Sequence, residues 1–386
     1  MLDFILQYKL VILFYLAVII FLIVKRKRVD VQGKVIFLYR MKFGLKWMDK
    51  YASKHREWVI LLGYIAAGTG FIGMAFISFY LIKNLVQYFT AETIVSGASL
   101  VYPGMNVPGL GVLPFWDWII AIFLIATIHE FAHGIVARAH NIPVKNTGIV
   151  FFGPILGAFV EPDENMMQKQ TDIKQYSVLG AGAFANVILA GVALLLLVSV
   201  FNPITTNMED NIGFSFGTFI EGDFPAEKSG IEPGMVINGI DGVSTKTFQD
   251  FHVEIQRKSP GDSITLNTQD KDYTLTLAAN PDDERSPFIG VNVIKNEVVP
   301  TNNTIWYRIV KKLGGFSLWL FLLSFGIGIF NLLPLPIVDG GRMSQVFLQK
   351  WKGNKRGNFW YAKVSLFFLL LLLLNLVYPW IAKIIS

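Results

Sequence analysis

The fold of this chain is decided by the stretch WIIAIFLIATIHEFAHG, residues 118–134. It lies in an apolar segment long enough to cross a bilayer core of about 30 Å, which takes about 20 helical residues. His129 and His133 are four residues apart, so both imidazoles project from one helical face and can bind one cation. Glu130 lies about 100° round the helix, where it can reach a water on that cation but is not placed as a third ligand.

The composition of the whole chain supports a membrane location for this stretch. Of 386 residues, 53% are hydrophobic and 16% are charged, with a mean hydropathy of +0.48, which is too apolar for an ordinary soluble domain. There is no cysteine, so a metal must be held by His, Asp or Glu. Lys and Arg cluster beside apolar runs, so the net charge of +6 indicates topology, and we predict no nucleic-acid partner.

Apolar runs predict an α-helical polytopic membrane protein with about six spans. The predicted spans are 4–24, 58–82, 116–138, 176–200, 313–333 and 360–382. Short cytoplasmic loops collect Lys and Arg, and residues 25–56 and 350–356 are densely basic, whereas 87–114 contain neither. We therefore expect both termini to be extracytoplasmic.

The composition changes to a soluble pattern over 205–298, where short alternating strands such as 263–266 and 273–277 are predicted. Within it, residues 223–242 resemble the PDZ modules of bacterial membrane and envelope proteases, in which such a stretch forms a short helix, a tight turn, a strand and a hairpin. The alternative is an unrelated small β domain. The resulting division is an N-terminal membrane region at 1–114, a first core part at 115–204, an extracytoplasmic PDZ-like domain at 205–298 and a second core part at 299–386.

A catalytic zinc site needs a third protein ligand and an open position for water. The best candidate is Asp339, in the stretch NLLPLPIVDGGR, residues 331–342. Pro334 and Pro336 cannot continue a helix, and unwound backbone at membrane depth is tolerated where protein buries it or a watery cavity takes up its polar groups. We expect an extended stretch that delivers Asp339 to the metal. The alternative role for Asp339 is a helix N-cap.

The two motifs together, His129-Glu130-x-x-His133 and Asn331-x-x-Pro334-x-Pro336-x-x-Asp339-Gly340, resemble the site-2 protease family of intramembrane metalloproteases over roughly 116–345. The resemblance implies one Zn²⁺ held by His129, His133 and Asp339, with Glu130 catalytic. It implies a multi-pass protein of a prokaryotic cell membrane, which cleaves transmembrane helices of membrane-anchored proteins in regulated intramembrane proteolysis. Asn331, Pro334 and Pro336 are then expected to contact the substrate.

Two further stretches match the family less tightly. Residues 144–162, broken at Gly153-Pro154, resemble its membrane-reentrant β-hairpin, whose edge would bind an unwound substrate through main-chain hydrogen bonds and place Gly153 and Gly157 near it; the alternative is a loop packed on span three. In span four, Gly182 to Asn186 resembles the family's Gly-Pro-x-x-Asn element, with Ala183 where proline is usual. Asn186 is expected to donate to the substrate or to the developing oxyanion. Helix packing by small residues is an equally good account.

Two other functions fit the same residues. One is a membrane zincin that cuts soluble peptides and takes a glutamate as third ligand. The other is a metal-binding scaffold or carrier whose PDZ-like domain binds peptide C-termini. Glu130 has no evident purpose in a carrier, and ionisable groups at membrane depth are costly enough to imply a function, so the residues favour the intramembrane enzyme.

Overall fold

The computed structural model describes residues 9–33, 35–90, 101–107, 110–153, 155–302 and 304–385, of which 379–385 are described for their backbone alone. The chain forms two compact units, Val198–Gly314 and the remainder, Met1–Leu197 with Gly315–Ser386. Five helices in the described part are long and apolar enough to cross a membrane. These five helices confirm a polytopic membrane protein.

The membrane helices follow the apolar runs of the sequence. In chain order the helices of this part are α1 (Lys9–Val24), α2 (Leu45–Lys54), α3 (Arg56–Thr90), α4 (Phe115–Ala139), α5 (Glu164–Gln168) and α6 (Asp172–Leu196), which continues through a π turn (Leu197–Phe201) into α7 (Asn202–Thr206). Helix α1 has 16 residues, and residues 4–8 of the predicted first span lie outside the described residues. The predicted first span, 4–24, therefore stays a prediction, while the other five predicted spans each coincide with one of the five helices.

A four-stranded antiparallel sheet lies beside these helices, in the order β1-β2-β5-β6. Its strands are β1 (Val29–Gln32), β2 (Ile36–Met41), β5 (Val144–Phe152) and β6 (Ile155–Pro162); a short separate hairpin pairs β3 (Asn106–Val107) with β4 (Gly111–Val112). Strands β5 and β6 form a hairpin over the predicted range, and its re-entry into the membrane stays a prediction. The pairing of β1 and β2 with this hairpin was not predicted.

One polar side chain from each strand joins the four strands of this sheet. Arg40 of β2 contacts Asp30 of β1 at 2.7 Å and Glu161 of β6 at 3.3 Å. Asn146 of β5 donates to the same Glu161 carboxylate at 2.9 Å. This network ties the N-terminal basic segment to β6, the edge strand of the sheet as described.

The Val198–Gly314 unit has its own core. Its helices are α8 (Pro225–Lys228) and α9 (Phe248–Ile255); its main sheet runs β11-β10-β8-β7-β14, with β9 on β8. These strands are β7 (Glu209–Phe219), β8 (Ile237–Ile240), β9 (Val243–Ser244), β10 (Ser263–Thr268), β11 (Tyr273–Thr276) and β14 (Val291–Pro300), while β12 (Ala278–Asn280) pairs with β13 (Asp283–Phe288). The short helix, turn, strand and hairpin expected for 223–242 are present as α8, β8 and β9.

Asp241 lies in the β8–β9 turn and accepts hydrogen bonds from the Lys258 ammonium and, at 2.7 Å, from the Thr265 amide. Hydrogen bonding to Lys258, followed by the Thr265 amide, lowers the pKa of Asp241 below its ordinary value. These two contacts join the turn to strand β10 and to the segment that follows α9.

The remaining helices complete the membrane unit: α10 (Ile305–Phe330), α11 (Asp339–Lys352) and α12 (Asn354–Ile385). Helix α6 packs closely on its neighbours through small residues. A β-carbon at Gly180 would lie 2.6 Å from the Ala66 carbonyl oxygen of α3. On the other side, the Ser324 hydroxyl of α10 donates to the Asn186 carbonyl at 2.8 Å. Helix α6 is therefore held against α3 and α10.

The segment between α10 and α11 is unwound, as the prolines predict, but it is not extended. Helix α10 ends at Phe330, and the Gly340 amide donates back to the Asn331 carbonyl at 2.8 Å. A β-carbon at Gly340 or Gly341 would collide with the carbonyls of Leu332 or Leu335. The expectation of an extended stretch was wrong, because these two glycines allow a compact turn that satisfies its own backbone groups.

Candidate metal centre

Helices α4 and α11 bring three donor atoms together. The Nε2 atoms of His129 and His133, one turn apart on α4, are 3.1 Å from each other. Asp339 is the first residue of α11, and its Oδ2 lies 3.0 Å from the first of these nitrogens and 3.3 Å from the second. Both histidines are 8% exposed. The cluster is therefore buried and open on a small fraction of its surface.

The geometry fits a divalent cation such as zinc. Tetrahedral zinc holds its ligands at about 2.0–2.1 Å, which places neighbouring ligand atoms about 3.3–3.4 Å apart, close to the separations observed here. Oδ2 of Asp339 is buried and faces the two Nε2 atoms, with no hydrogen bond from any other described group. Among the described residues, His129, His133 and Asp339 form the group of His, Asp or Glu side chains that lie close enough together to share one ion.

Helix α6 supplies a contact to the far nitrogen of each imidazole. Nδ1 of His133 lies 2.6 Å from the Val178 carbonyl oxygen, to which it donates. Nδ1 of His129 lies 3.1 Å from the side-chain amide of Asn186. Such outer contacts fix the orientation of a ligand ring and direct Nε2 toward the metal. Sequence reasoning missed Val178, and no signal could have indicated it, since its contribution is a main-chain carbonyl.

Glu130 connects α4 to the edge strand of the four-stranded sheet. Its Oε2 accepts a hydrogen bond from the Val160 amide of β6 at 2.9 Å. The carboxylate is thus held at one oxygen, on the residue next to the ligand His129. A proton acceptor in this position can serve a water bound at the metal position.

Gly182 of α6 lies directly over the imidazoles. A β-carbon there would come within 2.5 Å of Nε2 of His129 and closer still to Nε2 of His133. Only glycine leaves this space open for an ion. Because Gly182 is four residues before Asn186, the two share one helical face, a spacing that could have assigned both residues to the site.

The structure places the remaining sequence-predicted residues as follows. Gly153 is exposed at the hairpin tip, before the start of β6 at Ile155, which is itself about 17 Å along the strand from the Val160 contact with Glu130. Gly157 is buried within β6, and Asn331 is half-buried. Pro334 is buried and lines an apolar cavity of about 380 Å³ with residues of α3, α11 and α12, while Pro336 is exposed. Substrate contacts for these residues and for Asn186 stay predictions.

A membrane protein whose H-E-x-x-H helix meets a distant aspartate around one metal position has the features of a membrane metalloprotease. The model of peptidase family M50 matches residues 117–374, which include every residue of this site. The chain therefore belongs to peptidase family M50, the site-2 protease family.

Two of the three relatives described here are named as metalloproteases. An uncharacterised protein of Methanocaldococcus jannaschii is 25% identical over 351 residues, covering 89% of this chain and 87% of that protein. Zinc metalloprotease RasP of Shouchella clausii is 25% identical, covering 55% of this chain and 60% of RasP. The chloroplastic membrane metalloprotease ARASP of Arabidopsis thaliana is 23% identical, covering 71% of this chain and 80% of ARASP. Among solved structures, the PDZ domain of an SdrC-like protein of Listeria monocytogenes is 28% identical over 21% of this chain and 85% of that domain, with a TM-score of 0.18.

Proposed function

We propose that this protein is a zinc-dependent intramembrane endopeptidase that hydrolyses peptide bonds within transmembrane segments of membrane-anchored proteins. The observation that carries the proposal is the convergence of His129, His133 and Asp339, at 3.0–3.3 Å, beside a glutamate bound to an edge strand. Two of the three donors lie on a helix apolar enough to cross the membrane. The names of RasP and ARASP support a metalloprotease, and that of RasP supports zinc.

His129, His133 and Asp339 would hold the zinc, which when bound supplies a water of lowered pKa and a Lewis acid for the scissile carbonyl. Glu130 takes the proton from the attacking water. Since the Val160 amide holds Oε2, the other carboxylate oxygen is the one placed to accept it. As the water oxygen bonds to the carbonyl carbon and the C–N bond breaks, Glu130 returns the proton to the leaving nitrogen. No covalent bond to the protein is required.

The edge of β6 is suited to present an extended substrate. Because the Val160 N–H bonds to Glu130, the N–H and C=O groups of Val160 point away from β5. The β5–β6 register is unbroken from Thr147 to Phe152, and antiparallel pairs alternate, so Ala158 and Leu156 direct their N–H and C=O groups the same way. A substrate strand could pair with Leu156 and Ala158. Its pairing with β6 would end at Val160, whose N–H is already bonded to Glu130, so the scissile bond would lie beside Val160.

A substrate helix hides its carbonyls in its own hydrogen bonds and must unwind before it can pair with β6. We therefore expect helix-destabilising residues near the cleavage point to raise the rate. The lipid bilayer and a membrane-anchored protein are the partners that this reaction requires.

The Val198–Gly314 unit would recruit substrates as a PDZ-like domain. Helix α9 and strand β14 line an apolar pocket of about 180 Å³ that includes Phe251 and Ile294, a size suited to one apolar side chain. Strand β14 is at the edge of its sheet as described, so a peptide C-terminus can pair with it. Val293 has a φ of +56° and no partner in β7, so the ladder would extend over only the first residues of β14. Deleting 210–296 tests this role: slower cleavage of a full-length substrate supports recruitment, and faster cleavage supports a size filter.

The proposed location is a prokaryotic cell membrane, with both termini and the PDZ-like unit extracytoplasmic. Because the chain has no cysteine, single cysteines introduced at the exposed Lys46 and Asp270 report topology cleanly. An impermeant thiol reagent added to intact cells should label the second variant and spare the first. The reverse result would invert the proposed orientation.

The reaction itself is tested with purified protein in liposomes that contain a single-span substrate. We expect cleavage inside the apolar segment, located by mass spectrometry, which stops with a zinc chelator and resumes with added zinc. Glu130→Gln should be inactive. A cut confined to soluble peptides would support the zincin, and metal retention by Asp339→Ala would also favour it. Intact biological activity of Glu130→Gln would support the carrier or scaffold.

A further inference from the structure

Asn186 has a contact that its predicted role does not explain. The residue is 0% exposed, so its amide cannot reach a substrate without a rearrangement of α6. Its Nδ2 lies 3.1 Å from Nδ1 of His129. Its Oδ1 is buried and has no hydrogen-bond partner among the described residues. Among the described residues, the orientation of this amide is therefore set by its contact with His129, and either end of the amide can face Nδ1.

The two states of the amide correspond to the two tautomers of the ring. A neutral imidazole has one N–H and one bare nitrogen. If Nδ2 donates to a bare Nδ1, the proton of His129 is on Nε2, which can then donate to Asp339 at 3.0 Å but cannot bind a metal. If the amide is turned by 180°, Oδ1 accepts from an Nδ1–H, and Nε2 is left bare and facing Asp339.

Helix α10 holds Asn186 so that this rotation is its main freedom. The Ser324 hydroxyl donates to the Asn186 carbonyl at 2.8 Å. Gly328 approaches so closely that a β-carbon there would lie 3.1 Å from Cβ of Asn186. The backbone and Cβ are therefore fixed, and the amide group can exchange its oxygen and nitrogen without moving the helix.

We propose that Asn186 is a positioning residue that selects the metal-binding tautomer of His129: its Oδ1 accepts the Nδ1–H and leaves Nε2 free for zinc. The matching partner of His133 is the Val178 carbonyl, which can only accept. This inference rests on the proposed zinc site but not on proteolysis. Asn186 is then no donor to the substrate or to the oxyanion.

The test compares zinc affinity, measured by competition with a chromogenic chelator in the absence of substrate, for two variants of the full-length protein. Asn186→Leu keeps the branching of the side chain but removes the acceptor, and it should weaken zinc binding about 10–100-fold. Asn186→Asp keeps an acceptor and has no donor, so it should bind zinc at least as tightly as the native protein. Ile188→Ala, at an exposed position on the same helix, is the control and should match the native protein.

Two results would overturn the inference. One is a folded Asn186→Asp protein that binds zinc 10-fold or more weakly than the native protein, and this measurement stands even if Asn186→Leu does not fold. The other is native zinc affinity in both variants together with loss of cleavage in both, which would restore the role as donor to substrate. If the native protein binds zinc with the expected pattern but cleaves no transmembrane substrate, the proposed function fails and this inference stands.

Discussion

Replacing Gly182 by alanine should remove metal binding while leaving the helices in place. The added methyl carbon would lie 2.5 Å from Nε2 and 2.6 Å from Cε1 of His129, whereas ordinary contacts of this kind are about 3.4 Å or longer, so the ring must move by about 1 Å. Metal–ligand distances tolerate only about ±0.2 Å. We therefore expect zinc affinity to fall by at least about 100-fold, with a parallel loss of cleavage.

The matched control is Gly191→Ala, on the same helix, where an added β-carbon meets nothing within 4 Å. It should bind zinc like the native protein and gain helix stability of about 0.5–1 kcal/mol, because alanine is the better helix former. The assay is zinc content after dialysis, with circular dichroism to verify helicity. Stoichiometric zinc in folded Gly182→Ala would show that the metal does not lie beneath α6, and the reasoning would fail.

Three further predictions concern separate parts of the chain. Glu130→Gln should retain zinc affinity within about 3-fold and lose cleavage by about 10²–10⁴-fold, since only proton transfer is removed; loss of zinc would contradict this. Arg40→Ala removes the ion pair that joins β2 to Glu161 of β6 and should slow cleavage several-fold at unchanged zinc content, unlike Lys42→Ala. Equal rates for the two variants would argue against a role for the sheet. Asp241→Asn should unfold at lower temperature than the native protein at pH 7. Because the folded pKa of Asp241 is lowered, its stabilisation is present above the unfolded value of about 3.9 and is lost as pH falls through the folded pKa. The melting temperatures of the two proteins should therefore converge as the pH falls below the unfolded value.

Much of the membrane architecture could be predicted from the sequence because length and apolarity alone identify a span. The hairpin 144–162 could also be predicted, since its two runs are too short to cross the bilayer and rich in β-branched and aromatic residues. The contribution of β1 and β2 to the same sheet could not. More than a hundred residues separate Tyr39 from its partner Ile149, and the basic composition of that region indicates topology rather than strand pairing.

The centre of the candidate site could be predicted from side-chain chemistry, and the main-chain groups around it could not. His129, His133 and Asp339 are visible because ionisable groups are rare in apolar sequence. The compact turn before Asp339 was missed, since prolines predict that a helix stops but not how the chain continues. The carbonyl of Val178 and the amide of Val160 are main-chain groups, so only the fold decides that they meet His133 and Glu130.

The small residues of α6 gave two competing interpretations, helix packing or a functional element. The contacts show the packing, and the functional role stays a prediction. Gly180 faces α3, where its missing side chain lets the backbone approach Ala66, and Gly182, about 200° round the helix, faces the imidazoles of α4. A helix pressed this closely between two others must lack side chains on both faces. The close packing brings the Val178 carbonyl and the Asn186 amide within hydrogen-bonding distance of His133 and His129. Packing and the proposed metal site therefore place one requirement on the same few residues.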